Sequence, residues 1–332
     1  MSSVLQFLVP DHQRRDLDDL RGRVDLSDGD VRSKQSAFWI MLVLAAVIAI
    51  AGVIGDSTAT VIGAMIVAPL SIPILGIGFG ITTGDRRVVV RSAVLLILGV
   101  AVVIGLGIVF AQLLPNPTNV LTNSQVTGRT SPKLTDLTAA LATGVVAAVA
   151  LARRDVGDVL PGVAVAISLV PPLGVVGVCL GSGAPGLAFG AFVLFCSNVV
   201  ALIITAVIVL TLTGYAGGTP ASESTRSHVR HWRTYAVLAT ALLVVAVPMT
   251  VNSFSTLWAL QISDAAKQWL ADSPGAEVSD VAIQGRTATV DVIGPADLPP
   301  LTDLQNSVDS LVPWHPRVVV VHFVGGRTTS GG

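Results

Sequence analysis

The chain has 332 residues, of which 52% are hydrophobic and 12% charged, and its mean hydropathy is +0.75. Soluble domains carry roughly 25% charged residues, so this composition indicates a membrane protein. The formal net charge of −1 gives no basic excess, which argues against nucleic-acid binding. Cys179 and Cys196 both lie in apolar runs, where they read as small core residues and not as a disulfide framework.

The first predicted element is a charged N-terminal segment, residues 1–37, that carries six of the Lys and Arg residues. Apolar runs follow it, and a helix needs about 20 apolar residues to cross the hydrocarbon of a bilayer. An α-helical polytopic protein is therefore predicted, with a lipid bilayer as its surroundings. Its seven spans are placed at 38–54, 57–81, 88–113, 134–153, 157–180, 187–213 and 235–258. Trp232, Tyr235 and Trp258 bracket the last span as interfacial aromatics do.

The polar C-terminal region, 259–325, is predicted to be a small soluble α+β domain with the element order αββαβ. Two β-branched runs, VSDVAIQ and TATVDVIG, meet at Gly285–Arg286 as a hairpin, and RVVVVHFV forms a final strand. The segment PLTDLQNSVDSLV between them has helical spacing. The region contains no Gly-rich phosphate loop, no metal-spaced His/Cys set and no nucleophile motif. We therefore expect no cofactor, no metal and no enzymatic activity.

The membrane part is predicted to consist of two repeats, 38–113 and 134–213, with 235–258 as an added helix. Residues 62–84 align with 161–183 at an offset of 99 positions, which matches Gly63 with Gly162 and Pro73 with Pro172. Each repeat holds three spans, and an odd number forces the second copy to be inverted in the bilayer. Inverted repeats with interrupted helices are typical of transporters.

The two Pro/Gly segments are the predicted functional site. Proline removes a backbone donor and clashes with the preceding turn, so Pro69, Pro73 and the pair Pro171–Pro172 should open their helices near mid-span. The Ser71 and Ser168 hydroxyls are candidate partners for the freed carbonyls. Proline kinks and small-residue seams also occur in membrane helices that have no substrate role. The predicted substrate path consists of Gly63, Pro69, Ser71, Pro73, Gly162, Ser168, Pro171, Pro172 and Asn198.

Ionisable residues are nearly absent from the interiors of the predicted spans. Asp56 and Asp136 lie at span ends, where each serves either as a helix cap or as an ion ligand. Asn198 is the most polar residue well inside a span, and it either bonds across helices or lines a path.

The distribution of Lys and Arg predicts the orientation. With the N-terminus in the cytoplasm, 14 of the 20 basic residues lie inside and six outside. Seven spans then place the C-terminal domain outside the cell, whereas a re-entrant Pro-containing segment would change the parity and place it inside. We expect a multi-pass protein of the cell membrane.

The run FWIMLVLAAVIAIAGVIGDSTATVIGAMIVAPLSIPILG resembles the hallmark of a prokaryotic family of uncharacterised hydrophobic proteins, domain of unknown function 389. A second hallmark, LPGVAVAISLVPPLGVVGVCLGSG, also resembles that family. The resemblance covers about 36–214, and GAMIVAPL with LVPPLG carries most of it. It implies a polytopic membrane protein with a variable soluble appendage, and it implies no substrate.

Two functions from different classes are consistent with this sequence. The first is a transporter or channel, whose path suits a small anion or polar neutral solute if half-helix N-termini face it, or a monovalent cation if carbonyls do. The second is a sensory or scaffolding protein whose C-terminal domain binds a partner or drives oligomerisation. A homo-oligomer is expected, because spans rich in Gly and Ala pack well against each other.

Overall fold

The computed structural model describes residues 9–113, 122–156, 169–216, 226–284, 287–294 and 298–324. Gly162, Ser168 and the predicted turn at Gly285–Arg286 lie outside the described residues, as do the side chains of Trp232 and Tyr235. The chain divides into two compact units, Met1–Met249 and Thr250–Gly332.

The first unit is helical. After a short 3₁₀ turn, Asp11–Gln13, its helices are α1 (Leu17–Val24), α2 (Val31–Ile54), α3 (Thr58–Val67), α4 (Ser71–Thr83), α5 (Arg86–Leu113), α6 (Ser124–Thr130), α7 (Leu134–Ala152), α8 (Val170–Gly181) and α9 (Pro185–Leu212). A tenth helix, α10 (Arg226–Trp269), continues into the second unit.

Among the described residues, five helices are long and apolar enough to cross a membrane: α2, α5, α7, α9 and the stretch Leu242–Trp269 of α10. Helices α3 and α4 pass the same test as a pair bent by 47°, which makes up to six. Helix α8 is apolar but has only 12 residues. The seven predicted spans are therefore found only in part, and the apolar helices are compatible with a multi-pass membrane protein.

Helix α2 begins earlier than the predicted boundary at residue 38. The Asp30 carboxylate accepts a hydrogen bond from the Ser33 amide at 3.2 Å and so caps the helix N-terminus. Two turns of the segment 1–37 thus belong to helix α2, and they carry Arg32 and Lys34.

Helices α4 and α8 form the buried centre of the first unit. In both, nearly every residue is buried, which is the pattern of a helix surrounded by protein. The long helices have one open apolar face instead, with Ile40 of α2 59% exposed and Ile97 of α5 66% exposed. Such faces suit contact with lipid tails.

The second unit contains a mixed three-stranded sheet in the order β1-β2-β3. Strands β1 (Glu277–Gln284) and β2 (Thr287–Gly294) pair antiparallel, and β3 (Arg317–Val324) pairs parallel to β2 with Val290 opposite Val320. Helix α11 (Leu301–Leu311) connects β2 to β3. Its Leu304 and Val308 pack with Ile262 of α10 on one face of the sheet, which forms a separate core.

Candidate functional site

The span that contains α3 and α4 is interrupted at residues 68–70. Pro69 lies in this break, and Ala68 before it has the extended backbone, φ −72° and ψ 123°, that a following proline favours. Pro73 was also predicted to open the helix, and that prediction is wrong. It is the third residue of α4, a position whose amide needs no intrahelical partner, so a proline is tolerated there.

The prolines of the second segment show the same arrangement. Pro171 and Pro172 are the second and third residues of α8, so they lie within its first turn and do not interrupt it. Helix α8 begins 99 positions after α4 begins, and both starts are buried. Prolines in a first turn reduce the number of amide donors that a buried helix start leaves unsatisfied.

The break between α3 and α4 lies near the middle of the unit. The Leu70 and Leu42 side chains both contact the site of Gly99, which is the midpoint of the 28-residue helix α5. Helix α4 begins at this break and ends next to Asp85, which forms an ion pair with Arg21 of α1. Helix α3 begins at the other end of the unit, next to the turn at Asp56. The bent pair thus runs from one end of the unit to the other.

Two opposite faces of the unit follow from these contacts. We call the one that carries α1 and the ends of α4, α7 and α9 the N-terminal face. The opposite face carries the turn at 55–57, helix α6 and the end of α5. Helix α8 ends there too, because Gln112 of α5 donates a hydrogen bond to the Gly181 carbonyl at 2.6 Å.

Helix α4 packs closely against α9 through a glycine. A Cβ placed on Gly78 would lie 2.7 Å from the Cβ of Ala206 and 3.5 Å from the Ile203 carbonyl oxygen. A glycine is needed for such a short distance, because no real Cβ makes a contact of that length. We call this close contact of Gly78 with Ile203 and Ala206 a glycine seam. It joins the first half of the membrane region to the second.

Helix α8 packs against α5 in the corresponding way. A Cβ on Gly177 would lie 2.7 Å from the Cα of Gly107 and 2.5 Å from the Ile104 carbonyl oxygen. These residues are each 99 positions from those of the other seam: Gly177 corresponds to Gly78, Ile203 to Ile104 and Ala206 to Gly107. Helices α5 and α9 also coincide at both ends under this offset. We call the buried helices α4 and α8 the half-helices. Each packs against the long helix of the other half of the membrane region, α4 against α9 and α8 against α5.

The predicted path residues differ in their surroundings. Ser71 is the first residue of α4 and is 8% exposed, and Asn198 lies within α9 at 3% exposed, so both are buried in the unit. Gly63 lies in α3, and a Cβ there would have no atom within 4 Å. It makes no close helix contact, in contrast to Gly76 and Gly78.

Asp56 is not the cap of α3. Ser57 is the cap, since its hydroxyl accepts from the Thr60 amide, whereas Asp56 has a left-handed backbone, φ +48°. Its carboxylate accepts from the Ser124 hydroxyl at 2.6 Å and the Gln125 amide at 3.1 Å. The bond from Ser124 is the main cause that lowers the pKa of Asp56. The residue ties the α2–α3 turn to helix α6.

Asp136 does take part in a cap. It is the third residue of α7, and its carboxylate accepts from the Lys133 amide at 2.8 Å, as in a capping box. Within the residues that the structure describes, no group of three or more His, Cys, Asp or Glu side chains could hold a metal ion.

No pattern in the sequence predicts how residues 13–16 pack. The Arg15 amide donates to the Ala152 carbonyl at 2.9 Å, and its guanidinium donates to the Arg153 carbonyl at 2.8 Å. The Tyr215 hydroxyl donates to the Arg15 carbonyl at 2.6 Å, and burial raises the pKa of that hydroxyl. These partners are 138 and 200 positions apart in the chain.

Residues 65–204, which include α4, α8, Gly78 and the whole Gly177–Gly107 seam, match a family model described as "Domain of unknown function (DUF389)". Over these residues the chain is similar to that family. The resemblance drawn from the two hallmark runs is thereby confirmed. An uncharacterized protein of Methanocaldococcus jannaschii is 28% identical over 218 residues, which is 66% of this chain and 66% of that protein. The chain thus covers just under two thirds of the relative's length. No solved structure matches the chain.

Proposed function

We propose that the DUF389 region is a transporter or channel for a small solute, with its path beside the buried starts of α4 and α8. The observation that carries this proposal is the pair of glycine seams, Gly78 on α9 and Gly177 on α5, related by one offset. Two interrupted or short helices at repeat-related positions are the arrangement that transporters use for midplane sites. An inverted 3+3 repeat, completed to seven spans, is part of the same proposal.

The chemistry at the start of α4 favours a small anion or polar neutral solute over a cation. A helix N-terminus carries a partial positive charge, and the Ser71 hydroxyl lies there within a buried setting. From α2 to α9, the described helices contain one carboxylate, Asp136, and it is committed to a cap near the opposite face. A cation path would need carbonyl groups to supply the whole negative field.

The orientation and assembly of the protein belong to this proposal as well. The N-terminal face is assigned to the cytoplasm on the excess of Lys and Arg in the segments that lie on it. We also propose a homo-oligomer in the cell membrane, as the apolar faces of the long helices permit close packing between copies.

Water accessibility of the half-helix starts tests the transport proposal. In a chain with Cys179→Ala and Cys196→Ala, single cysteines are placed at the equivalent starts, Ser71→Cys and Val170→Cys. A membrane-impermeant maleimide is then applied to sealed vesicles. Both positions should react more slowly than an exposed control, Gly186→Cys, but faster than a position that faces lipid, because a path must bring water to them at least part of the time.

A lipid-facing control separates water access from general reactivity. Ile97→Cys is 66% exposed on the protein surface but should stay unlabelled, because it faces hydrocarbon. If the cysteines at Ser71 and Val170 react no faster than the one at Ile97, the half-helices form a dry bundle and the transport proposal is wrong.

A scaffolding function is the second candidate, and one observation favours it. The face of the C-terminal sheet away from α11 leaves apolar side chains open, with Val319 37%, Val321 38% and Phe323 54% exposed. Exposed apolar patches of this kind mark interaction surfaces. A dry membrane region in the labelling experiment would make this the leading function.

A further inference from the structure

Two short segments bind the helix ends on the two faces of the membrane region. The first strap is residues 13–16, on the N-terminal face. The second strap is residues 123–126, on the opposite face. Each lies just before one half of the membrane region and contacts the other half.

The first strap joins the ends of two long helices. Besides the bonds of Arg15 to Ala152 and Arg153, the Arg154 amide donates to the Gln13 carbonyl at 2.8 Å. Tyr215, just after α9, donates to the Arg15 carbonyl, and the Arg14 guanidinium lies 4.5 Å from the centre of its ring. The strap therefore holds the end of α7 to the end of α9.

The second strap is bound to the end of α2. The Asn123 side-chain amide donates to the Val53 carbonyl at 2.7 Å, while its oxygen accepts from the Val126 amide and caps α6. Ser124 and Gln125 donate to Asp56, and the Gln125 side chain also donates to the Thr58 hydroxyl at 2.8 Å. This strap therefore fixes the turn from which α3 enters the unit.

The anchors of the two straps are equivalent positions. Val53, which accepts from the second strap, and Ala152, which accepts from the first, are 99 positions apart. This is the offset that relates the two glycine seams. The equivalence makes it improbable that either strap is an incidental loop contact.

Both straps adjoin helices that pack against the half-helices, α1 on α4 and α6 on α8. Helix α1 follows the first strap, and its Val24 carbonyl oxygen would lie 3.0 Å from a Cβ on Gly76, midway along α4. Helix α6 contains the second strap and packs against α8 and α9, where the Thr130 carbonyl oxygen would lie 1.9 Å from a Cβ on Gly190. Release of either strap would therefore free a helix that packs beside a half-helix.

We propose that the two straps are a pair of equivalent gates, one for each face, that open alternately. This inference rests on the proposed transport function. Each strap is held by a small number of hydrogen bonds that each contribute a modest net free energy, although the side chains of Arg15, Asn123 and Tyr215 are buried. Release of a strap therefore costs the sum of these contributions, which makes the open state a minor population that a bound solute can favour. The structure then represents the state in which both gates are closed.

Labelling of the Ser71→Cys reporter from each side tests the gates. The first strap is weakened by Arg15→Ala with Tyr215→Phe, and the second by Asn123→Ala with Ser124→Ala. The impermeant maleimide is applied to vesicles of both orientations. The first variant should raise the labelling rate from the N-terminal face about tenfold and lower it from the opposite face, and the second should do the reverse.

The chain offers a matched control for each strap. Gly22→Ala in α1 and Gly128→Ala in α6 add a methyl group with no atom within 4 Å, so both should leave the two labelling rates unchanged.

A reversible cross-link of the first strap tests the gate in a folded protein, without relying on variants that could misfold. Asp16→Cys with Arg154→Cys, at an existing ion pair, can be joined by a short cleavable thiol cross-linker before the reporter is exposed in a stepwise labelling scheme. Joining should abolish labelling from the N-terminal face, and cleavage should restore it.

The possible outcomes distinguish failure of the gate proposal from failure of the proposed transport function. If the reporter reacts at the same rates in both strap variants and in the locked protein, the straps are not gates, while the water-filled path remains. If the reporter reacts from neither face in any variant, both the gates and the transport function are wrong.

Discussion

At the scale of single residues, the glycine seams are the strictest requirement on this sequence. At Gly177 the atoms that an added methyl group would meet are backbone atoms of α5, at 2.5 Å and 2.7 Å, and backbone cannot rotate away. At Gly78 the nearest atom is the methyl of Ala206, and its seam has somewhat more freedom. The α8–α5 seam is therefore the tighter of the two.

Gly177→Ala should lower the stability of the membrane region by about 1–3 kcal/mol, the usual cost of overpacking. Gly78→Ala should cost less, for the reason just given. Thermal unfolding in detergent measures both. Gly105→Ala is the control and should be neutral or stabilising, because Gly105 lies on α5, the helix against which Gly177 packs, but has open space around it. An equal loss for all three would mean that the seams are not tightly packed.

Asp56 gives the protein a defined pH response. Its folded-state pKa is lowered, mainly by the bond from Ser124, so its contribution to stability is present above the unfolded pKa and is lost as the pH falls through the folded pKa. The difference in melting midpoint between the wild type and Asp56→Asn should thus shrink as the pH is lowered below about 4. Asn tolerates the left-handed backbone, which keeps the turn intact.

Calorimetry or a fluorescence melt at a series of pH values provides the measurement. The exposed Asp272 lies in the other unit, and Asp272→Asn should show no comparable trend. A constant difference between the wild type and Asp56→Asn down to pH 3 would contradict a charge-dependent tie to α6.

At the scale of helices, packing holds the bend between α3 and α4, and proline only permits it. The interior of α4 buries ten residues, among them Ile74, Leu75 and Phe79. Each large apolar side chain contributes about 1.5–3 kcal/mol by burial, whereas a mid-helix proline costs about 3 kcal/mol in total. Burial of α4 therefore exceeds anything that the removal of one proline could gain.

Pro69→Ala should leave the bend in place for this reason. Spin labels at Thr58 and Thr83 measure it, since a straight helix would lengthen their separation by about 3 Å at 1.5 Å rise per residue. We expect the two proteins to differ by less than this in pulsed dipolar spectroscopy. Pro73→Ala, within the first turn of α4, is the matched control. A 3 Å lengthening in Pro69→Ala alone would assign the bend to the proline.

Much of the helical architecture could be predicted because it depends on local sequence. Apolar runs located the long helices, and Pro69 marked the break. Pro73 was misread, because a proline has the same effect on composition whether it breaks a helix or begins one. Pro171 and Pro172 lie at the start of α8, and the prediction that they open a longer span remains a prediction because 157–168 lie outside the described residues. The straps were missed altogether, since the bonds of Arg15 and Asn123 join distant segments that share no pattern.

At the scale of the whole molecule, the two units have separate cores. The buried clusters of the first unit end at Met249, and the cluster of the second begins at Trp258. Met249, Leu242 and Ala246 of α10 pack with residues of α7 and α9, so this part of α10 belongs to the membrane region. Independent cores predict independent folding.

A chain ending at residue 257 should therefore melt in detergent within about 2 °C of the full protein. A chain ending at residue 240 loses the packing of Met249 and should melt at least about 4 °C lower. Size-exclusion chromatography with a thermal melt checks both. Loss of the folded state in the longer fragment would show that the second unit supports the first.

The exchange of partners between the halves also has a consequence for how the protein is made. Helix α4 leaves the ribosome early, but the surface that receives Gly78 belongs to α9 and is synthesised about 130 residues later. At the usual rate of translation that interval is on the order of ten seconds. During it, a short apolar helix with an open break has no native neighbour on that side and must be sheltered by the insertion machinery. Ribosome-bound chains halted before and after residue 206 should differ in how readily α4 cross-links to that machinery.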